Sequence, residues 1–305
     1  MMIDTEWAFR RYEAVRPRLV EARFGFASEH APNLAAVADR FDAFVLDAFG
    51  VLNVGGSAIP GAKERLAWLR AAGKRLVVLT NGATQSRAAA LAKYRQLGFD
   101  FTAHEVVASR DLAAAALVEA PFAAAGWGRW AAASGPAPDF GDLGVAPVDD
   151  LLVDDHLHDT AAGFVLFSSA GWTDARQARL AAALGERLRP VLVANPDIVA
   201  PREAGFTLEP GHFAHELEDR LGVHPRYYGK PFTNAFRAAL ARLGEDVDPR
   251  RIAMVGDTLH TDVLGGRAAG LSTVLVTDHG LFAGHDVGDY IARSGIVPDV
   301  IVPTI

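Results

Sequence analysis

Short unbroken apolar runs recur along this chain at strand length, and the segments between them carry helical periodicity. Residues 43–47 read as a strand, 60–72 as a helix opened by Pro60 and closed by Gly73, and 75–80 ("RLVVLT") as the next strand. A helix over 84–98, a strand over 104–109 and a helix over 110–120 continue the alternation. Strands that are apolar on both faces must be covered on both faces, and helical crossovers between them make the strands parallel. The pattern predicts an α/β protein built on a Rossmann-like, doubly wound parallel sheet. Ligands of such sheets bind beyond the carboxyl ends of the strands.

The rhythm breaks near residue 120. Residues 121–150 are rich in Gly, Pro and Ala, lack clear periodicity, and read as a linker or domain edge. A second α/β pattern follows, with a strand at 163–167, a helix capped by Thr173 or Asp174, and a strand at 190–195. After "NPD" at 195–197 the first rhythm returns: a helix near 211–221, the loop "HPRYYGKP", a helix from Pro231, a strand at 252–257, a helix over 261–269 and a strand at 272–277. The expected organisation is a helical extension at 1–40, a core in two parts at 41–115 and 198–305, and an inserted α/β cap at 116–197. The extension reads as an amphipathic helix carrying Trp7, Phe9, Tyr12 and Val15, followed by a shorter helix, and should pack on the core or serve as a homodimer contact.

Composition narrows the chemistry. The chain has no cysteine, which excludes disulfides, thiol nucleophiles and cysteine zinc sites. A net charge of −7 gives no electrostatic reason to bind nucleic acid. The N-terminus "MMIDTEWAFRR" lacks a signal-like apolar stretch, and no run approaches the roughly 18 apolar residues of a membrane span, so no membrane role and a cytoplasmic location are expected. The cations are nearly all arginine; lysine occurs only at 63, 74, 93 and 230.

Four strand ends collect complementary polar groups: Asp47 in "LDAFG", Thr80 and Asn81 in "LTNG", Lys230 in "YGKP", and Asp257 with Asp262 in "VGDTLHTD". Taken singly, each is readable as a cap or loop residue. Together they offer carboxylates for a divalent metal, a hydroxyl and an ammonium for a phosphate, and helix N-termini whose free N–H groups attract anions.

In order, spacing and strand context these motifs resemble those of the haloacid dehalogenase (HAD) superfamily, most of whose members are magnesium-dependent phosphatases. The resemblance spans nearly the whole chain after about residue 40. Only 33 residues separate Asp47 from Thr80, too few for a cap, whereas 150 separate Thr80 from Lys230. That placement, with "TNG", "NPD", "GKP" and "GDTLHTD", is similar to subclass IIA, the NagD-like and nitrophenyl-phosphatase-like group. The resemblance implies Asp47 as a nucleophile forming an aspartyl phosphate on a small phosphorylated metabolite. It implies Mg²⁺ held by Asp47, Asp257 and the backbone carbonyl of Phe49. Thr80 and Lys230 would hold the phosphoryl oxygens, assisted by backbone N–H groups at Asn81 and Gly82. Asp262 would orient metal-bound water or Lys230, and Asn195 and Asp197 would help position substrate.

Most phosphatases of this family carry a second aspartate two residues after the nucleophile, as acid and then base. Here that residue is Phe49, which can do neither. The expectation is a slow phosphatase, least handicapped on leaving groups that need no proton, unless another side chain substitutes; "DDHLHD" at 154–159 holds candidates, although a solvated acidic loop is its simpler reading. Two other readings stand beside it. One is a non-catalytic module that binds a phosphorylated ligand; the other is a haloacid-dehalogenase-type hydrolase, whose aromatic residue at this position fits but whose cap lies where this chain has no room. "GGRAAG" at 265–270 lies within a predicted helix and reads as close packing rather than a dinucleotide loop.

Overall fold

The computed structural model describes residues 3–118, 130–133, 148–202 and 205–305. The chain starts with α1 (Thr5–Val15), capped by Asp4, and a two-residue strand β1 (Glu29–His30). The first core strand, β2 (Ala43–Leu46), leads into a small hairpin of β3 (Asn53–Val54) and β4 (Ser57–Ala58). Then come α2 (Ala62–Ala71), β5 (Arg75–Thr80), α3 (Arg87–Gln96), β6 (Val106–Ala108) and α4 (Ser109–Val118). The second unit contributes β7 (Trp130–Ala133), β8 (Val148–Asp150), α5 (Leu157–Thr160), β9 (Gly163–Leu166), α6 (Asp174–Glu186) and β10 (Val191–Val193).

A hairpin of β11 (Val199–Arg202) and β12 (Gly205–Leu208) follows, then α7 (Pro210–Leu221) and β13 (Arg226–Tyr227). The chain ends with α8 (Thr233–Leu243), β14 (Ile252–Gly256), a π-turn at Leu259–Val263, α9 (Leu264–Ala268), β15 (Ser272–Val276), α10 (Val287–Ser294) and β16 (Val300–Val302).

Seven of these strands form one parallel sheet in the order β1-β16-β15-β14-β2-β5-β6. From β2 the chain winds outward through β5 and β6, then returns on the other side through β14, β15 and β16. The reversal falls at β2, so the crevice at its carboxyl end is where a ligand belongs. Both faces are covered. Phe44, Leu46, Val78, Val255 and Val274 pack into one cluster, and Val45, Val77, Leu79 and Met254 into another with Phe236 of α8. Apolar side chains thus alternate between two buried layers, which accounts for the unbroken runs in the sequence.

A second parallel sheet has the order β13-β10-β9-β7-β8, with α6 and α7 against it through Leu180, Leu184, Phe213 and Leu217. This corrects two expectations. Residues 130–133 and 148–150 are strands rather than linker; the remainder of 121–150 lies outside the described residues. The core does not resume at 198, because α7 and β13 complete the second sheet as far as Tyr227. The chain crosses toward the core after "NPD", forms the hairpin, and returns to the cap before leaving it.

The extension holds a short 3₁₀ helix at Leu34–Arg40 after α1, as the sequence pattern suggests, and a strand besides. Ala8, Phe9, Tyr12 and Val15 of α1 join the core cluster around Leu264, Leu275 and Phe282, and Glu29–His30 add an edge strand beside β16. Arg11 and Arg18 reach across to Asp219 of α7, with Arg11 at 2.9 Å, so α1 touches both units. In "GGRAAG", a Cβ at Gly265 would lie 2.3 Å from the Phe236 ring, so the position is one of close packing. Among the described residues no helix is long and apolar enough to cross a membrane.

Candidate active site

The carboxyl ends of β2, β5 and β14 are adjacent, with Leu46 paired in register to both Val255 and Val78. The next residues of each strand therefore converge. Asp47 follows β2 and is held to the sheet by its N–H, which donates to Val255 O at 2.8 Å. Thr80 ends β5, and its Oγ1 accepts from Gly82 N at 3.1 Å. Asp257 follows β14, and Asp262 lies on the π-turn, a distortion that recurs at functional sites. Lys230 arrives from the loop between β13 and α8.

Lys230 Nζ lies 2.6 Å from Asp47 Oδ1 and 2.7 Å from Asp262 Oδ1, and all three side chains are buried. Asp47 Oδ1 also accepts from Ala48 N at 2.7 Å. Asp262 Oδ2 accepts from the N–H groups of Asp257 and Thr258 at 3.1 and 3.0 Å, which fixes the loop that carries Asp257. Asp257 in turn accepts from Leu281 N at 2.7 Å and from the Thr258 hydroxyl at 3.1 Å.

Two glycines make this approach feasible. A Cβ at Gly280 would lie 2.0 Å from Asp257 Oδ2, and one at Gly50, whose φ is +77°, would lie 2.7 Å from the same side chain. The 279–281 loop was not visible as part of a site in the sequence, because its contribution is a backbone N–H and the lack of a side chain.

Beside the expected backbone contact with substrate, the Asn81 side chain has a task of its own. Its Oδ1 accepts from Lys230 N at 2.7 Å, and its Nδ2 donates to Lys230 O at 2.9 Å and to Asp197 Oδ1 at 2.8 Å. The side chain is spent on holding the lysine, leaving its backbone N–H as the group able to face a ligand, while the Gly82 N–H is taken by Thr80 Oγ1. Asn195 is similarly engaged: its Oδ1 accepts from Asp197 N, and its Nδ2 donates to Glu209 at 3.0 Å. Asn195 and Asp197 both line a cavity of about 250 Å³ that opens beside Thr80 and Phe49.

Phe49 is half-buried between two cations, with Lys93 Nζ 4.7 Å and Arg202 Cζ 5.2 Å from its ring centroid. No sequence signal marked Arg202, which comes from the unexpected hairpin. The "DDHLHD" stretch is placed elsewhere. Asp155 pairs with Arg179 of α6, His158 is buried against Phe164, and none of the six residues lines the cavity beside Phe49 or a smaller one that Asp47 lines.

The charges explain what the site lacks on its own. Carboxylate oxygens of Asp47, Asp257 and Asp262 all lie within 4.8 Å of one another, and one ammonium faces them. Burial, with the Asp262 charge adding to it and Lys230 opposing, pushes Asp47 up to about 7. Burial and the charges of Asp262 and Asp47 also push Asp257 well above its ordinary value. Burial works against the Lys230 ammonium, but Asp262, Asp47 and Asp197 outweigh it and hold the lysine above its ordinary value. An all-oxygen set of crowded carboxylates with surplus negative charge fits a hard divalent cation.

A stability prediction arises here. The folded value of Asp47 lies above its unfolded value near 4, so between those values the folded state binds more protons than the unfolded one. The contribution of Asp47 to metal-free stability therefore falls as pH rises through that window. His158, His212, His215 and His260, all lowered by burial, contribute with the opposite sign. Comparison with Asp47→Asn isolates the aspartate: in a chelator, the melting temperature of the variant minus that of wild type should grow from pH 5 to pH 8. A difference that is flat or shrinks would show that Asp47 is not strained by its neighbours.

The profile of the haloacid dehalogenase-like hydrolases matches residues 44–127, and a HAD-hydrolase-like profile matches 227–304. The glycerol-3-phosphate phosphatase of Gallus gallus is 32% identical over 302 residues, covering 88% of this chain and 91% of that protein. The chain belongs to the haloacid dehalogenase-like hydrolases. Among solved structures, a possible sugar phosphatase of the HAD superfamily from Cytophaga hutchinsonii is similar over 91% of this chain and 98% of that one, at 26% identity and a TM-score of 0.77. A glycerol phosphate phosphatase from Mycobacterium tuberculosis in complex with calcium is similar over 80% of this chain and 68% of that one, at 26% identity and a TM-score of 0.61. The second sheet of this hydrolase lies between the motifs of Thr80 and Lys230, the cap placement expected for the NagD-like subclass IIA.

Proposed function

We propose that this HAD-like hydrolase removes the phosphoryl group from a small phosphorylated metabolite through an aspartyl phosphate on Asp47, with Mg²⁺ as its metal. That it is a phosphoric monoester hydrolase follows from its family and from relatives named as phosphatases. The finer reading rests on one observation above all: a buried Asp47 whose Oδ1 is tied to Lys230 and Ala48 N, leaving Oδ2 for attack on phosphorus.

A carboxylate approaches a phosphate dianion only when charge is screened. Bound Mg²⁺, held by Asp47, Asp257 and the carbonyl of Phe49, would supply that screening and polarise the phosphoryl group. Lys230 would carry a fixed positive charge to the transferring oxygens, and Asp262 and Asn81 would keep it in place from its two ends. The Thr80 hydroxyl, whose Oγ1 already accepts from Gly82 N, and the N–H of Asn81 would donate to the same oxygens. Phe49 has no proton to give, so position 49 contributes a carbonyl and a ring but no acid, and turnover would be slow on esters whose leaving oxygen must be protonated unless another side chain supplies the proton.

The cavity of about 250 Å³ suits a compact leaving group of glycerol or sugar size, in line with the names of the relatives. Lys93 and Arg202 on its wall favour polar or anionic substituents. The test is hydrolysis of nitrophenyl phosphate, acetyl phosphate and glycerol phosphates with Mg²⁺ and with chelator. Turnover is expected only with the metal. Metal-dependent binding of phosphate esters without any release of phosphate would instead establish a binding module.

A further inference from the structure

Asp197 occupies a place in this site that its expected role in positioning substrate does not explain. A cavity of about 30 Å³ is lined by Asp47, Asp257 and Thr80, and the larger one of about 250 Å³ by Lys93, Tyr94 and Arg202. The first holds the phosphoryl position and the second has room for the leaving group. Five residues line both: Phe49, Thr80, Gly82, Asp197 and Ala200. Asp197 is the one carboxyl group among them, so it borders both the space beside Asp47 and the space for a leaving group.

Its hydrogen bonding assigns its atoms. Asn81 Nδ2 donates to Asp197 Oδ1 at 2.8 Å, so Oδ1 is an acceptor and a proton on this carboxyl belongs on Oδ2. Burial pushes the group up to about 8; Lys230 and the Asn81 bond pull it down, while Asp47 and Asp262 push it up with the burial. Tyr12, on the far side, is a neutral phenol. The other acid on the cavity wall is committed: Glu209 accepts from Asn195, Thr207 and Arg202 and reaches only the larger space. Tyr94, pushed above the ordinary phenol value by burial, is a poor donor.

We infer that Asp197 is the proton donor to the leaving group, taking over from the cap–core junction the task that Phe49 cannot perform. This rests on the phosphatase reading of the same site. In the first half-reaction Asp47 bonds to phosphorus, the bond from phosphorus to the leaving oxygen breaks, and the Asp197 Oδ2 proton passes to that oxygen, releasing a neutral alcohol. In the second, water attacks the aspartyl phosphate and gives its proton to the Asp197 carboxylate; inorganic phosphate leaves and Asp47 regains its charge. The donor ends the cycle protonated, as it began.

Asp197→Asn keeps the shape and an oxygen to accept from Asn81 but has no acidic proton. With Mg²⁺, its kcat/KM on glycerol phosphate should fall by about 10²-fold or more, and on nitrophenyl phosphate by only a few-fold. Phe49→Asp in the Asp197→Asn background should restore much of the loss on the alkyl ester. Equal losses on both esters would make Asp197 a structural residue and overturn the inference while leaving the phosphatase reading intact. If wild type hydrolyses no ester, both fall together. Should the variant not fold, wild type on substituted phenyl phosphates decides alone: a shallow dependence of kcat/KM on leaving-group basicity supports a donor, and a steep one overturns it.

Discussion

Asp47→Asn should lose metal-dependent hydrolysis by at least about 10⁴-fold on every ester, good leaving groups included, because an amide cannot form the acyl phosphate. The loss should come without unfolding. The substitution removes one of three crowded carboxylates and leaves Lys230 its contact with Asp262, so metal-free stability should be equal to or above that of wild type. Phosphate release and thermal melting of the same preparation measure both. Retained turnover on acetyl phosphate in a folded variant would rule out Asp47 as the nucleophile.

Lys230→Met should have the opposite signature in stability. The ammonium is the near counter-charge to Asp47 and Asp262, and removing one partner of a buried ion pair typically costs about 3–5 kcal/mol because the remaining charges stay buried and uncompensated. Denaturant melts in chelator at pH 8 should show a loss of that order. The loss should shrink at pH 5, where Asp47 and Asp257, both raised by burial, can neutralise themselves by protonation, and shrink again with Mg²⁺. Activity with Mg²⁺ should fall steeply, since the metal can replace the charge in the fold but not the donor at the phosphoryl oxygens. A variant as stable as wild type in chelator at pH 8 would mean that the lysine is not the electrostatic keystone of the cluster.

What the sequence made legible follows from where the signal resides. The central strands are apolar on both faces, so Phe44, Val45 and Leu46 announce themselves without help from context, as do Val77, Val78 and Leu79. The acids and the lysine at strand ends stand out by contrast with those runs, and the structure brings Asp47, Thr80, Lys230, Asp257 and Asp262 to one crevice. The extent of the cap was not readable because α7 is amphipathic in a way that suits either sheet; its partner is decided by tertiary packing against Leu180 and Leu184. Strand β1 has two exposed residues and no periodicity to detect. The tasks of Asn81 and Gly280 are to hold a backbone and to leave space, and neither is encoded in residue type alone.

The first helix carries a practical consequence. Tyr12 stacks on His260 with ring centroids 5.0 Å apart and accepts from Ile198 N at 3.1 Å, while Glu13 contacts His260 at 2.6 Å. One side chain thus spans the residue after Asp197 and the turn between Asp257 and Asp262. A recombinant fragment trimmed to the family match, which begins at residue 44, would keep every motif and most of the central sheet yet lose the brace between its two reactive loops. Such a fragment would be misjudged as an inert relative, its defect lying in alignment rather than in any missing chemical group.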